Sequence, residues 1–575
     1  MKRYTLILAL ALLAAGCTAP VEVKEDSRSH QQILFEDGNY AMFIHFGLYS
    51  SLEGEWEGKN YRGNAEWIMN PNQADIPVDE YMALSKDFNP SEFDAAAIVQ
   101  LAKDAGMKYI VITSKHHEGF AMFGSDACDF NIKDATPFGR DVIGELADEC
   151  HSAGIGIGFY YSQFQDWTAP GGGNGPVADA NGRTVSFDEY FRTKCVPQVE
   201  EITTKYGEIE LIWFDTPGSM DAKYSEELVA LVHKNQPGCL VSSRVGNGLG
   251  DYETLGDMEI PLKNVSGLWE GIDVMQVGWG FNKEDREWKS PEYVVKNLIG
   301  TIARGGTFMM NIGPDAKGRV PDQAAQSLRK AGEWVAKYED AVRAVDASPW
   351  GHALPWGDAV VKGSKLYLFV NDWPRDGRLV VPGLESNVKY AKLYGGKKLK
   401  VAKCSGGYEL KVPAEAPDKT VSVIEIGIDS NVSVNGNYAA LDGYTTFLSP
   451  IFADLEQCGG RKAGWMPRFG EWKVRWVAER FREGNSVTWT LDIPHEGYYE
   501  FDIEWKGQGG PVCFSLASDE GEVLTNEQPS SDVLTTQRAG WMHFDKSGTH
   551  TITLKISTLD TNIAVSGLTV TPVAM

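Results

Sequence analysis

Between residues 31 and 345, short apolar runs alternate with amphipathic stretches, and this alternation constrains the fold more than any other feature of the chain. The apolar runs are "YAMFIHFG" (40–47), "KYIVITS" (108–114), "GIGIGFYYS" (154–162), "IELIWFD" (209–215), "CLVSSR" (239–244) and "GTFMMNIG" (306–313). They are short, rich in β-branched and aromatic residues, and bounded by turn formers, as buried strands are. Between them lie helix-like segments such as "PSEFDAAAIVQLAKDAG" (90–106) and "DVIGELADECHSAG" (141–154). Ser91 is placed to cap the first, with Gly106 as its stop, and Gly154 ends the second. Strands separated by helices run parallel, because the helix carries the chain back to the starting edge. About 300 residues with this rhythm predict an α/β fold built on a (β/α)8-type barrel over 31–345. An open doubly wound sheet is the alternative, but no GxGxxG follows the first strand.

From residue 346 the helical spacing disappears. "AVVKGSKLYLFVNDW", "RLVVPGL", "VKYAKLYGG", "GYELKVPAE" and "VSVIEIGI" predict a β-sandwich over 346–429. After the linker-like "DSNVSVNGNY", strands such as "SVTWTLDIP", "GYYEFDIEWKG" and "THTITLKIS" predict a second β-sandwich over 430–575. In "HTITLKI", alternation puts Ile552, Leu554 and Ile556 on one face. The Trp-bearing segments "GEWKVRW" and "AGWMHF" would either bind glycan or pack against the middle sandwich.

The N-terminus, "MKRYTLILALALLAAGCTAP", has a basic start, an apolar stretch and small residues before Cys17. It predicts a lipoprotein signal peptide over 1–17, with lipid on Cys17 and a polar tether over 18–30; a plain signal peptide is the alternative. The expected location is that of an exported bacterial lipoprotein, periplasmic or at the outer-membrane surface, touching membrane only through that lipid. A net charge of −25 repels phosphate backbones and argues against a nucleic-acid partner. The other seven of the 8 cysteines are scattered without a CxxC, which argues against a disulfide framework or a zinc site. The 17 Trp and 22 Tyr serve core packing, but such rings also cover sugar faces.

Barrel sites collect at the C-terminal ends of strands. His45 closes the first run, and Trp213 and Asp215 close "LIWFD" on one face, as Tyr160 and Ser162 share another. "SKHHEGF" adds His116 and His117, "AEWIMN" adds Glu66 and Trp67, and "SSRVGNG" adds Arg244. A lone strand-end Asp is more often a cap or an ion-pair partner. Adjacent histidines suggest metal, but "HHEGF" is not HExxH and brings no third ligand. Together, polar groups and Trp at one end of several strands describe a sugar pocket, with carboxylates to break the bond.

In family order, "FIHFGLYS", "AEWIMN", "SKHHEGF", "GFYYS", "WFD", "GWGFN" and "GGTFMMNIGP" resemble the α-L-fucosidases of glycoside hydrolase family 29. The resemblance spans about 31–345 and, in layout, the sandwich that follows. It implies a retaining hydrolase acting on terminal α-L-fucose of an oligosaccharide or glycoconjugate, with no metal or organic cofactor. Asp215 resembles the nucleophile, and His45, Glu66, Trp67, His116, His117, Tyr160, Trp213, Arg244 and Trp279 resemble the fucose-binding residues. The acid/base is open between Asp257 of "DMEIP", placed first, and Glu270 of the "WE" pair. A glycosidase for another deoxy or methyl-bearing sugar, and a non-catalytic glycan-binding lipoprotein, are the rival readings. All candidate site residues precede residue 280, so the final region is expected to lie outside the pocket.

Overall fold

The computed structural model describes residues 28–467, 469, 473–482, 484–557 and 562–573. The expected signal peptide, Cys17 and the tether up to residue 27 lie outside the described residues. Eight parallel strands form the first sheet: β1 (Tyr40–Ile44), β2 (Tyr109–Lys115), β3 (Gly156–Tyr161), β4 (Leu211–Phe214), β5 (Leu240–Val241), β6 (Glu253–Thr254), β7 (Trp269–Val274) and β8 (Thr307–Ile312). Their order is β5-β4-β3-β2-β1-β8-β7-β6. A parallel bridge from Ser242 to Tyr252 joins the two edges, with Ser243 N–H donating to the Tyr252 carbonyl at 2.9 Å. The sheet therefore closes on itself, as the predicted barrel requires.

Strands β1 to β4 are buried along their whole length, which explains their near-continuous apolar runs. β6 and β7 were not legible in this way: "ET" is too short, and "WEGIDV" carries two carboxylates and a glycine. The helices Val142–Ala153, Val196–Thr204, Ala222–Asn235 and Pro291–Ile302 cross over between strands, but the β5–β6 and β6–β7 connections contain no α-helix. That sector is a loop, and residue 257 lies on it. The helix Ala95–Asp104 is capped by Asp94, whose carboxylate accepts from Ala97 N–H at 3.0 Å, not by Ser91 as the sequence suggested. Asp94 is the residue immediately before the first helical turn, where a side-chain oxygen meets the free N–H groups. The helix Val142–Ala153 ends on Gly154 at φ 67° as expected.

Period-two alternation sorts the barrel interior into layers. Leu211 and Trp213 point inward from β4, Tyr109 and Val111 from β2, and Ile272 and Val274 from β7. Asp215 continues the inward series one step beyond β4, at the open end.

Seven antiparallel strands between Gly357 and Ile428 form a second sheet. Val423 and Phe369 of this sheet join the core around the barrel helix Asp322–Lys337, and Trp334 of that helix donates its indole N–H to the Val421 carbonyl at 2.9 Å. Two further six-stranded sheets, spanning Tyr438 to Pro572, enclose a separate core that includes Trp489, Trp505, Phe501 and Leu554. One hairpin of this last unit, Gly459–Trp465 with Lys473–Glu479, reaches back to the barrel.

Candidate active site

A pocket of about 320 Å³ opens at the C-terminal end of the barrel strands. Asp215, His45, Glu66, Trp67, His116, His117, Tyr160, Trp213, Arg244, Asp257 and Trp279 all line it. Strand ends and the loops that follow them bring these residues together from eight separate stretches of sequence.

Asp215 is the centre of a hydrogen-bond network. Tyr160 Oη donates to Oδ2 at 2.9 Å, Arg244 Nη1 donates to Oδ1 at 3.1 Å, and the Asp215 N–H reaches Gln163 Oε1 at 2.9 Å. His117 Nε2 stands 3.5 Å from Oδ2. Burial pushes the carboxyl upward, but Arg244, His117 and Tyr160 more than offset it and hold it below its ordinary value. The charge at the end of a hydrophobic strand is thus paired, and it is ionised at neutral pH.

Arg244 follows β5 in the turn Ser243–Val245 and uses its whole fork. Nε donates to Thr254 Oγ1 at 3.0 Å, and Nη2 to the Leu255 carbonyl at 3.1 Å and to Asp257 Oδ1 at 2.5 Å. Its guanidinium carbon lies 4.8 Å from the centre of the Trp213 ring. One cation therefore ties Asp215 at the strand end to Asp257 on the β6–β7 loop. The backbone after each carboxylate is unusual: Thr216 has φ 48° and Met258 has φ 57°. A β-branched residue in the left-handed region is strained, and such strain concentrates at functional sites.

His45 and His117 are neutral acceptors. Asn311 Nδ2 donates to the Trp279 carbonyl, so its Oδ1 accepts from His45 Nδ1–H at 2.8 Å, leaving Nε2 with a free lone pair. Ser162 Oγ donates to the Gln165 carbonyl and accepts from His117 Nδ1–H at 2.7 Å, so His117 Nε2 is likewise bare. Burial lowers His45 to about 3 and His117 to about 4. Burial, then the two neighbouring imidazoles, hold His116 well below its ordinary value. The His116 ring stacks on Tyr160 at 5.2 Å.

Glu66 sits in the turn Ala65–Trp67. Its Oε2 accepts from Gly280 N–H at 2.8 Å, while Oε1 is buried with no partner. Burial pushes this carboxyl up to about 8, so it is protonated at neutral pH and has a hydrogen to give. Trp67 stands edge-on to His117, and Trp279 lies 5.0 Å from the His45 ring.

Glu270 is not brought to the pocket. It is the second residue of β7, paired in register with Thr254 and Thr307, and it faces the barrel interior below Trp213. Trp213 Nε1 donates to its Oε1 at 2.8 Å, and burial pushes it up to about 8. The reason is the strand itself: β7 extends past Glu270 to Val274, so the "WE" pair begins a strand and lies away from the open end. The site candidate at Glu270 is corrected accordingly.

Two lining residues come from the final unit: Met466 and Phe469. The expectation that this unit lies outside the pocket is overturned. Among the described residues of its Trp-bearing segments, Trp476 faces the barrel loop at Ile260 and Leu262, whereas Trp541 is exposed and donates to Glu500. Among the described residues, no group of three or more His, Cys, Asp or Glu is gathered for a metal ion.

A family profile described as alpha-L-fucosidase matches residues 13–340. The chain belongs to the alpha-L-fucosidase family. It is, accordingly, a glycoside hydrolase. An alpha-L-fucosidase of Dictyostelium discoideum is 27% identical over 423 residues, covering 67% of this chain and 89% of the relative. A solved alpha-L-fucosidase of Vibrio sp. strain EJY3 aligns with a TM-score of 0.77 at 28% identity, covering 93% of this chain and 97% of that one. Its coverage takes in the antiparallel sheets as well as the barrel. An alpha-L-fucosidase of Lactobacillus casei, solved with α-L-fucose product, is 39% identical with a TM-score of 0.50, over 54% of this chain and 100% of that one.

Proposed function

We propose that this family member removes terminal α-L-fucose from glycans with retention, through a covalent intermediate on Asp215. The observation that carries the reading is the Asp215–Arg244–Asp257 chain at the pocket's open end. An ionised Asp215 attacks the anomeric carbon, and the glycosidic C–O bond breaks as the leaving oxygen takes a proton from the acid/base. Water then gives a proton back to that group, attacks the same carbon and releases Asp215.

Depth assigns the second carboxyl. A terminal sugar enters first and its leaving group faces the mouth, so the proton donor belongs at the rim. The Asp257 side chain is 21% exposed there, whereas Glu66 is almost fully buried. Asp257 is therefore the acid/base, released from Arg244 as substrate settles. Protonated Glu66 donates to a sugar hydroxyl, and the bare Nε2 atoms of His45 and His117 accept from others. Phe43 and Ile272 supply an apolar lobe for a methyl group where a hydroxymethyl would bury an unpaired hydroxyl.

A second reading has its own observation: Glu66 is a neutral pocket carboxyl with an unpartnered oxygen, which suits a proton donor. Azide separates the two with an activated aryl fucoside, since it restores turnover where the lost residue was the acid/base. Rescue of Asp257→Ala alone fits the first reading, and rescue of Glu66→Ala alone sinks it. A panel of nitrophenyl glycosides tests the sugar itself; faster cleavage of another glycoside would refute fucose. Export as a lipoprotein is proposed from "LAAGC". Labelled fatty acid should enter the parent and not Cys17→Ser, and an unlabelled parent contradicts it.

A further inference from the structure

The hairpin of Gly459–Trp465 and Lys473–Glu479 belongs to the final sandwich by sequence and pairing, yet it lies at the mouth of the barrel pocket. Three observations place it there. Phe469 meets the Trp67 ring edge-on, with centroids 5.9 Å apart. Gly63, at φ 101°, would carry a Cβ into the Phe469 carbonyl oxygen, so the barrel loop omits a side chain where the backbone of the other unit approaches it. Lys462 Nζ pairs with Glu259 Oε1 at 2.6 Å, and Glu259 Oε2 accepts from Gly256 N–H at 3.1 Å, beside Asp257. The hairpin is thus fastened to the loop that holds the proposed acid/base.

The pocket has a gradient of depth. Trp213 and Tyr160 at its floor are 2% and 1% exposed, whereas Met466 at its mouth is 43% exposed. An exposed thioether and an aromatic ring, beside Trp67, make an apolar wall on the path by which a leaving group departs. Pyranose rings present C–H faces to such walls. We propose that Met466 and Phe469, together with Trp67, bind the first sugar of the leaving group, so that the final sandwich decides which glycan the barrel cleaves. The inference rests on the pocket being the site of fucoside cleavage, and adds the substrate's second residue to it.

The test compares two substrates: α-L-fucosyl fluoride, whose leaving group is one atom, and the fucosylated oligosaccharide that the parent cleaves fastest in a linkage panel. Truncating an apolar anchor at an interface costs about tenfold or more in binding. Met466→Ala/Phe469→Ala should lose about tenfold or more in kcat/KM on the oligosaccharide, chiefly through KM, and about threefold or less on the fluoride. Phe469→Leu, which keeps an apolar wall, should recover most of the loss. Thermal unfolding is measured alongside; should the double variant unfold early, Met466→Ala alone is read for the same ratio. Equal losses on both substrates, or undiminished cleavage of the oligosaccharide, overturn the inference alone. A parent inactive on both substrates overturns the proposed function itself.

Discussion

The floor and the rim of the pocket are built by different means. The floor is made of side chains at the ends of barrel strands: His45 after β1, Tyr160 on β3, Trp213 and Asp215 at β4. Strand alternation aims them; burial keeps His45 neutral, while Arg244 and the other partners of Asp215 keep it ionised. The rim combines the helix-free β6–β7 loop with a hairpin from a unit that folds around its own core. Arg244 bonds across the two, holding Asp215 with one amino group and Asp257 with the other. The comparison teaches that the floor can fix the sugar and the nucleophile, while the rim is free to set the leaving group.

Asp215→Asn should break the floor most severely. The amide neither attacks nor leaves as an ester, so kcat should fall by roughly four powers of ten or more with the fold intact. Turnover within about tenfold of the parent would remove Asp215 from the chemistry. At the rim, Asp257→Ala should cost about 10²- to 10⁴-fold on substrates with poor leaving groups and far less on activated ones. Equal losses on both would deny it proton transfer.

The pH profile separates the two regions again. Glu66, raised to about 8, has its donor below that pH and loses it as pH rises through 8. His117 and His45, lowered to about 4 and 3, keep their acceptor lone pairs until pH falls through those values. Activity should therefore persist into acid and decline near pH 8, and Glu66→Gln, which keeps an N–H donor, should flatten the alkaline limb. An alkaline limb unchanged in that variant would contradict the role of Glu66. The same burial has a stability cost. A carboxyl raised in the folded state loses stability as pH rises from its unfolded value to about 8. Glu66→Gln should therefore gain most in Tm over the parent near pH 8.

The smallest effect is expected at Thr216. Glycine there relieves a strained φ of 48° but loosens the turn that aims Asp215. Thr216→Gly should gain about 1 kcal/mol or less, since glycine's unfolded-state entropy offsets the relief, and should lose a few-fold in kcat. Higher activity with higher stability would show that the strain serves nothing.

The floor was legible in the sequence because its signals are local. An apolar run ending on a polar residue gives both the strand and its end, and Asp215, His45, Tyr160 and Trp213 all follow from that. Glu270 misled because it rests on the "WE" pair alone: the two carboxylates and the glycine of "WEGIDV" hide the strand, which begins at Trp269 and runs on to Val274. Ser91 and Asp94 both precede the first turn of the helix Ala95–Asp104, and only the structure shows that the turn begins directly after Asp94. Met466 and Phe469 had no local signal. Their role depends on a contact across some hundreds of residues, and its trace in the barrel is a glycine, Gly63, that sequence alone does not distinguish from a turn.

The central claim is that Asp215 carries the sugar between the two halves of the reaction. A 2-fluoro-α-L-fucosyl fluoride slows the second half more than the first and should leave its sugar on the enzyme. Peptide mass spectrometry of the trapped protein should then find one added 2-deoxy-2-fluorofucosyl group, on the peptide containing Asp215 and on that residue. Attachment to another residue, or turnover of the parent to the β-configured product with no adduct under any trapping condition, would contradict the account.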